Sequence, residues 1–515
     1  MGVFATPAAR ARARRGIFRT LADWAAWRSP DVILASFPLS LAVTPASALA
    51  DPALGPVYAD LLTSGAADER ALVMLFLAVE RAKGRSSPWA PWLAALPREF
   101  GTPLYFSGAE RALLAGTNLG RAVGVLSARL GAAWARLVPD AARLAAAAGL
   151  GAPPTLADFT WAYSVFWSRG MAFPAPAPSS LMPSGAGCEH SGASGGPDDH
   201  PLSSVVAQEG ILPGLDFCNH APGAPVRWTV YGAPAEAGGQ PGNTLSPTRA
   251  ALVAPRWGVP APGAEVLIDY GGKSQEELLL LYGFAHASAE AGDVLMVACP
   301  LPVASGGSGG GGNGNGGGGP PGVEGMVWDD DLRARVALLR ARGLTPQVFL
   351  PAIPAGGMKA GRGGARRVDL ARPGAGLRLP DSVWETLEAF VLEPAAVASA
   401  RADPDGSAPA RASELDARGL RMAVLTTLTR LLEAAVVGLE GPGGSGPLEA
   451  DVAALEAHAA GGLAPPGSPD LASSPHASAC VAYRATQKRI ARDWLAQARA
   501  LLGVEVAALE RLVEK

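Results

Sequence analysis

ILPGLDFCNHAP, residues 211–222, and AEVLIDYGGKSQEELLLLYGFAH, residues 264–286, decide the reading of this chain. Each opens on an apolar run that reads as a strand and closes on polar groups. The first carries Asp216, Asn219 and His220; the second ends its strand in Tyr270, with Tyr282 and Phe284 beyond. Neither stretch is specific alone. An Asn-His dipeptide in a loop is mostly structural, and a tyrosine at a strand end is mostly a half-buried aromatic. The two in this order, each behind an apolar run, form a much narrower pattern.

Working outward, residues 204–270 hold four short apolar runs, GILPGLDF, VRWTVYG, RAALVAP and AEVLIDY, which look like strands. Upstream, residues 31–50 are β-prone before turning into a helix start, and residues 52–172 read as mostly helical. ERALVMLFLAVERAKG has apolar residues at helical spacing, with Gly84 as a C-cap. Residues 174–203 are rich in Pro, Gly and Ser, and residues 305–319 form a Gly/Ser/Asn tract. Both bury too little apolar surface to offset their ordering entropy, so they are expected to be unstructured. From 323 onward, LRARVALLRARG, DSVWETLEAFVLE, ELDARGLRMAVLTTLTRLLEAAVVGLE and CVAYRATQKRIARDWLAQARALL are amphipathic helices.

These segments predict an α+β chain of 515 residues, too long for one hydrophobic core. The expected parts are an N-terminal segment at 1–30 and a mixed domain at 31–300 with a helical insert at about 52–172. A Gly-rich linker at 301–322 and an all-helical domain at 323–515 follow. The formal net charge of −3 supplies no basic field, so neither nucleic acid nor an anionic membrane is expected as partner. The uncharged run Val32 to Ala50 is interrupted by Pro38 and Pro45 and reads as strand and turn, not a membrane span. The four cysteines, Cys188, Cys218, Cys299 and Cys480, form no CxxC pair, which argues against a structural zinc site and for a reducing compartment. His190 and His200 lie in the Gly/Ser-rich loop and read as solvated residues, not metal ligands, and the basic run Arg362 to Arg367 reads as a flexible loop. Trp89 and Trp92 read as packing for the insert.

The two motifs together resemble the signature blocks of SET-domain methyltransferases. The resemblance extends along the chain to the class of the Rubisco large-subunit methyltransferase. DVILASFPLSLAVTPASA is similar to the strand and turn after that family's glycine motif. LFLAVERAKGRSSPWAPWLAALP with PLYFSGAERALLAGTNL is similar to its helical insert, and WAYSVFWSRGMAF to its Ser-Arg helix. ACVAYRATQKRI resembles a late helix of its C-terminal substrate-binding domain.

The resemblance implies a SET-type β fold whose Asn-His segment lies beside the tyrosine strand in a knot-like site. It implies S-adenosylmethionine as methyl donor, no metal, and transfer to a lysine of a folded protein engaged through the C-terminal helical domain. Asn219 and His220 would hold the cofactor, with Gly2, Ser168, Arg169 and Asp216 lining the same pocket. Arg169 suits the cofactor carboxylate. Tyr270 would be catalytic, and Tyr282 and Phe284 would wall the lysine channel. A monomer is expected.

Three features depart from the family pattern. Only Met1 to Thr6 can supply the glycine motif, and the stretch to about residue 30 is rich in Arg, Ala and Trp. The start reads either as truncated or as a transit peptide, because Arg10, Arg12, Arg14, Arg15 and Arg19 all precede the first acidic residue, Asp23. The plastid is therefore the expected location and the cytoplasm its alternative. Ala221 stands where Ser or Cys is commoner, and Gln275 where Asn is common. Two other functions stay open: a protein-histidine methyltransferase on the same scaffold, and a non-catalytic binding module.

Overall fold

The computed structural model describes residues 31–176, 205–232, 247–286, 292–299, 330–353, 379–402 and 414–513. The N-terminal segment with Gly2, most of the 174–203 insert and the whole 305–319 tract lie outside the described residues. Residues 174–176, expected in that loop, instead end a strand.

The chain divides into two compact units. One is residues 1–100 with 126–272; the other is residues 101–125 with 273–515. The sequence reading put its boundary at 301–322 and kept 52–172 in one domain. Contacts made at long sequence separation, which local composition does not register, draw 101–125 and the segment from 273 into the C-terminal unit.

In the first unit, β1 (Val32–Pro38) leads through α1 (Pro45–Leu49) and α2 (Gly55–Thr63) to α3 (Glu69–Lys83). Thr44 opens α1 with a capping box, which stops the strand and starts the helix within a few residues. Asp68 caps α3 by accepting from the Ala71 N–H, Glu69 sits in its first turn and Arg81 and Lys83 in its last, each complementing the helix dipole. Residues Leu72 through Glu80 of α3 are all buried, so it is a central helix and not a surface stripe. Glu80 is tolerated there because Lys83 Nζ (2.6 Å) and Ser87 Oγ (2.6 Å) donate to it. Gly84 terminates α3 at φ 57°, a conformation that suits glycine.

Next in chain order come α4 (Ala90–Leu93), then α5 (Gly108–Ala112) and the first turns of α6 (Asn118–Ala147), which count with the second unit, and α7 (Leu156–Arg169) of the first. The strands follow: β2 (Met171–Pro176), β3 (Val205–Gly210), β4 (Asn219–His220), β5 (Arg227–Gly232), β6 (Pro247–Ala254) and β7 (Leu267–Ile268). A three-stranded antiparallel sheet has the order β1-β6-β5, β2 pairs with β3, and β4 pairs with β7. Leu212, Leu215, Val226, Leu252 and Ile268 form the core beneath this β region, with Tyr270 packed at its margin.

The second unit contains α8 (Gln275–Glu277), which runs into a π-helical turn at Leu278–Tyr282, then β8 (Val294–Ala298), α9 (Asp330–Ala341) and β9 (Gln347–Pro351). Five helices complete it: α10 (Asp381–Val391), α11 (Pro394–Ala402), α12 (Glu414–Glu440), α13 (Leu448–Ala459) and α14 (Ala477–Val513). The expectation of an all-helical C-terminal domain is corrected by β9, which pairs antiparallel with β8. Its period-2 burial spans only five residues between helices, with Val348 and Leu350 buried and Phe349 exposed, so helical neighbours mask it in sequence. Helices α12 and α14 pack together around Leu425, Leu428, Leu432, Trp494 and Ala498. Within α12, Ala417–Glu440 is long and apolar enough to cross a membrane by length and composition, and Val424, Leu425, Leu428 and Leu432 of that stretch lie in the core.

Candidate active site

The bridge between Val43 and Ile211 launches the first motif from the core, with main-chain hydrogen bonds of 2.7 and 3.0 Å. Leu212 and Leu215 are fully buried, and Gly214 between them takes φ 96°. A side chain at 214 would also strike the Phe37 ring, so glycine is required twice over. The chain then passes through a 3-10 turn, Leu215–Phe217, into β4.

Strand β4 pairs parallel with β7, Asn219 opposite Leu267 and His220 opposite Ile268. This two-residue pairing sets the Asn-His motif beside the tyrosine strand. Asp269 ties down both exits: one carboxylate oxygen accepts from Gly223 N–H (2.8 Å) and the other from Gly271 N–H (2.9 Å). The rings of His220 and Tyr270 stack, with centroids 4.9 Å apart and planes 23° apart. His220 Nδ1 takes the Tyr270 main-chain N–H at 3.0 Å and lies 3.3 Å from the Ile268 carbonyl oxygen. Tyr270 donates its hydroxyl proton to the Cys218 carbonyl at 2.7 Å. Any other group that hydrogen-bonds this phenol must therefore donate to it.

The remaining expected residues are placed as follows. Arg169 ends α7 and donates from Nη1 to the Asp216 carbonyl (2.8 Å) and carboxylate (3.4 Å). Its Nε is buried and has no acceptor among the described residues. The guanidinium lies 5.9 Å from the centroid of Phe217, a ring 47% exposed. Asp216 was expected to line the pocket, but its side chain is 0% exposed. Both its oxygens are spent on protein donors, Oδ1 on Gly214 N–H (2.9 Å) and Oδ2 on Trp92 Nε1–H (3.1 Å) and Arg169. Burial pushes its carboxyl above the ordinary value, against the pull of the Trp92 N–H and the Arg169 charge.

Ser168 likewise turns inward, its hydroxyl donating to the Ser164 carbonyl of its own helix at 2.6 Å. Asn219 is exposed and its amide donates to Glu265 at 2.6 Å. Burial raises the Cys218 thiol pKa, with the Asp216 and Glu265 charges adding to the effect.

Tyr282 and Phe284 belong to the second unit, where Tyr282 closes the π-helical turn. Their rings are 6.3 Å apart, and Phe284 stands edge-on to His286 at 5.7 Å. Burial, then the Glu277 charge, raise the Tyr282 phenol pKa, so it stays protonated. Gly283 ends the turn at φ 85°, and a Cβ there would come within 2.7 Å of the Gly101 carbonyl carbon.

Sequence reasoning missed Trp92, Asp269 and the Cys218 carbonyl. For Trp92 a signal existed, since a buried indole N–H requires an acceptor. Among the described residues, no group of three His, Cys, Asp or Glu is placed to hold a metal.

No family model matches the chain. One curated relative, the ribosomal lysine N-methyltransferase set10 of Schizosaccharomyces pombe, is 27% identical over 262 residues. That match takes in 50% of this chain and 38% of the relative's length. Among solved structures, the SET domain of LSMT bound to lysine and AdoHcy superposes with a TM-score of 0.56 at 17% identity, covering 92% of this chain and 82% of that one. Rubisco LSMT bound to AdoMet gives 0.53 at 18% identity, covering 91% and 83%. An identity this low speaks to architecture, and in architecture the agreement runs almost end to end: the chain has the SET-domain fold of the LSMT structures.

Proposed function

We propose that the protein is an S-adenosylmethionine-dependent protein-lysine N-methyltransferase. The observation that carries this reading is the parallel pairing of β4 and β7, which sets Asn219-His220 beside a Tyr270 whose hydroxyl is oriented by the Cys218 carbonyl. It is supported by the fold shared with LSMT structures holding AdoMet or lysine, and by the lysine methyltransferase relative.

The residues present fit the cofactor. Arg169 offers a buried Nε without an acceptor among the described residues, which suits a carboxylate. Phe217 offers an exposed aromatic face beside it, and the main chain of Asn219 and His220 offers further polar groups. When bound, S-adenosylmethionine supplies a sulfonium methyl group. The protein's own task is to present a neutral amine, because a free lysine, at about 10.4, is mostly protonated near neutrality. An apolar surround disfavours the ammonium by desolvation. Tyr270 already donates its one proton, so its oxygen accepts an N–H of the amine and fixes the lone-pair direction. The C-terminal unit would engage the protein substrate. The Arg-rich, acid-free first residues favour a plastid location, which a fluorescent fusion would test.

The test is calorimetric titration with S-adenosylmethionine, followed by transfer of labelled methyl to proteins of a cell extract and amino-acid analysis of the product. Methyl-lysine supports the reading. Methyl-histidine redirects it to the other acceptor, and the absence of cofactor binding reduces the chain to a binding module.

A further inference from the structure

Trp92 sits on α4, 8% exposed, and its ring is held by a ladder of edge-on aromatic contacts. Tyr58 meets Phe76 at 6.0 Å, Phe76 meets Trp89 at 6.3 Å, and Trp89 meets Trp92 at 6.3 Å. The ladder starts on α2 and α3 and ends where the Trp92 indole N–H donates to Asp216 Oδ2. Asp216 in turn receives Arg169 on its carbonyl and carboxylate, leaving the Arg169 Nε buried and without an acceptor among the described residues. A buried indole N–H requires an acceptor, and the acceptor here is the same carboxylate that takes the Arg169 guanidinium, which couples the two.

We propose that Trp92 is a positioning residue: its indole N–H fixes Asp216, and through Asp216 the Arg169 guanidinium that receives the ligand carboxylate. The helical insert thereby sets the geometry of the binding arginine. The identity of that ligand rests on the function proposed above; the link from Trp92 to Asp216 does not.

Among the described residues, the charged and titratable groups facing Asp216 are Arg169 from α7 and the Cys218 thiol from its own loop, with Glu265 acting on that thiol. Gly214 N–H and Trp92 N–H are the neutral donors. Burial already raises the Asp216 pKa. The sign follows from linkage: a carboxyl raised in the folded state costs stability as pH rises from its unfolded value through its folded one. Removing the Trp92 donor raises it further and enlarges that cost. Trp92→Phe keeps an aromatic ring but loses the N–H. Its melting temperature should fall below wild type by a margin that grows between about pH 4.5 and pH 8, to roughly twice the acid value. On an Asp216→Asn background the margin should not vary with pH. A packing role alone would give one margin at every pH and on both backgrounds, and that result overturns the proposal.

Should Trp92→Phe fail to fold, the unmutated chain decides the matter. The Trp92 indole N–H resonance should move with the ionisation of Asp216, and a resonance that ignores pH overturns the link. At pH 8, Trp92→Phe should also weaken S-adenosylmethionine binding by roughly tenfold, the cost of about one misplaced hydrogen bond. A wild-type chain that binds no S-adenosylmethionine would defeat the proposed function, while the pH dependence would still decide this link.

Discussion

Asp451 in the C-terminal unit accepts hydrogen bonds from Arg484 (Nε 3.1 Å, Nη2 2.5 Å) and from Lys488 Nζ (2.6 Å), with all three side chains buried. Asp216 in the N-terminal unit is as deeply enclosed and accepts from Trp92, Gly214 and Arg169, yet among the described residues Arg169 keeps a buried Nε with no acceptor. The first cluster is closed. Arg484 spends a further donor on the Leu113 carbonyl, and Lys488 approaches the Ser445 carbonyl, so the charges are consumed in holding α13, α14 and the loop before them. The second cluster stops one partner short. A buried donor left open costs free energy unless something else fills it, so the first cluster is complete among the described residues, while the second leaves a donor for the ligand carboxylate proposed above.

The largest effect should come from Asp451→Asn. It would leave Lys488 and Arg484 buried with their counter-charge removed, which costs about 3–5 kcal/mol for a broken buried pair. Urea unfolding measures it, and a loss under about 1 kcal/mol would break the contrast. Gly283→Ala comes next, at about 1–3 kcal/mol, because it forces an L side chain to positive φ against the Gly101 backbone. Its melting temperature should drop well below wild type.

Asp216→Asn should separate stability from binding. Its stability relative to wild type should rise with pH, from about the ordinary carboxylate value upward, because the raised carboxyl no longer has to ionise. Its affinity for S-adenosylmethionine should fall roughly tenfold, about 1.4 kcal/mol, as Arg169 loses its guide. The smallest effect should be that of Ser168→Ala. The hydroxyl is spent on its own helix, so stability should change by under about 0.5 kcal/mol and cofactor affinity not measurably. A marked loss of affinity would mean that the hydroxyl turns to the ligand.

Much of the site's position was legible because its pieces are local. Asn219-His220 and the Tyr270 strand each announce themselves within a dozen residues, and β4 and β7 do pair. What those residues do with their side chains was less legible. The inward turn of Asp216 depends on Trp92, which lies 124 positions away, and on the Gly214 main chain. The outward turn of the Asn219 amide depends on Glu265, 46 positions away. In the fold, the end of α3 was readable from Gly84, whereas β9 was not. Its partner β8 lies before the Gly-rich tract, and no local periodicity links them.

The most direct test of the account is the turnover of Tyr270→Phe, measured in a single-turnover assay with labelled S-adenosylmethionine beside calorimetric binding of the cofactor. The phenol oxygen acts on the amine and not on the cofactor, so affinity should stay within about twofold of wild type. The rate should fall on the order of 10²–10³, the usual cost of one catalytic hydrogen bond, about 3–4 kcal/mol. A Tyr270→Phe chain that transfers methyl groups at the wild-type rate would contradict it.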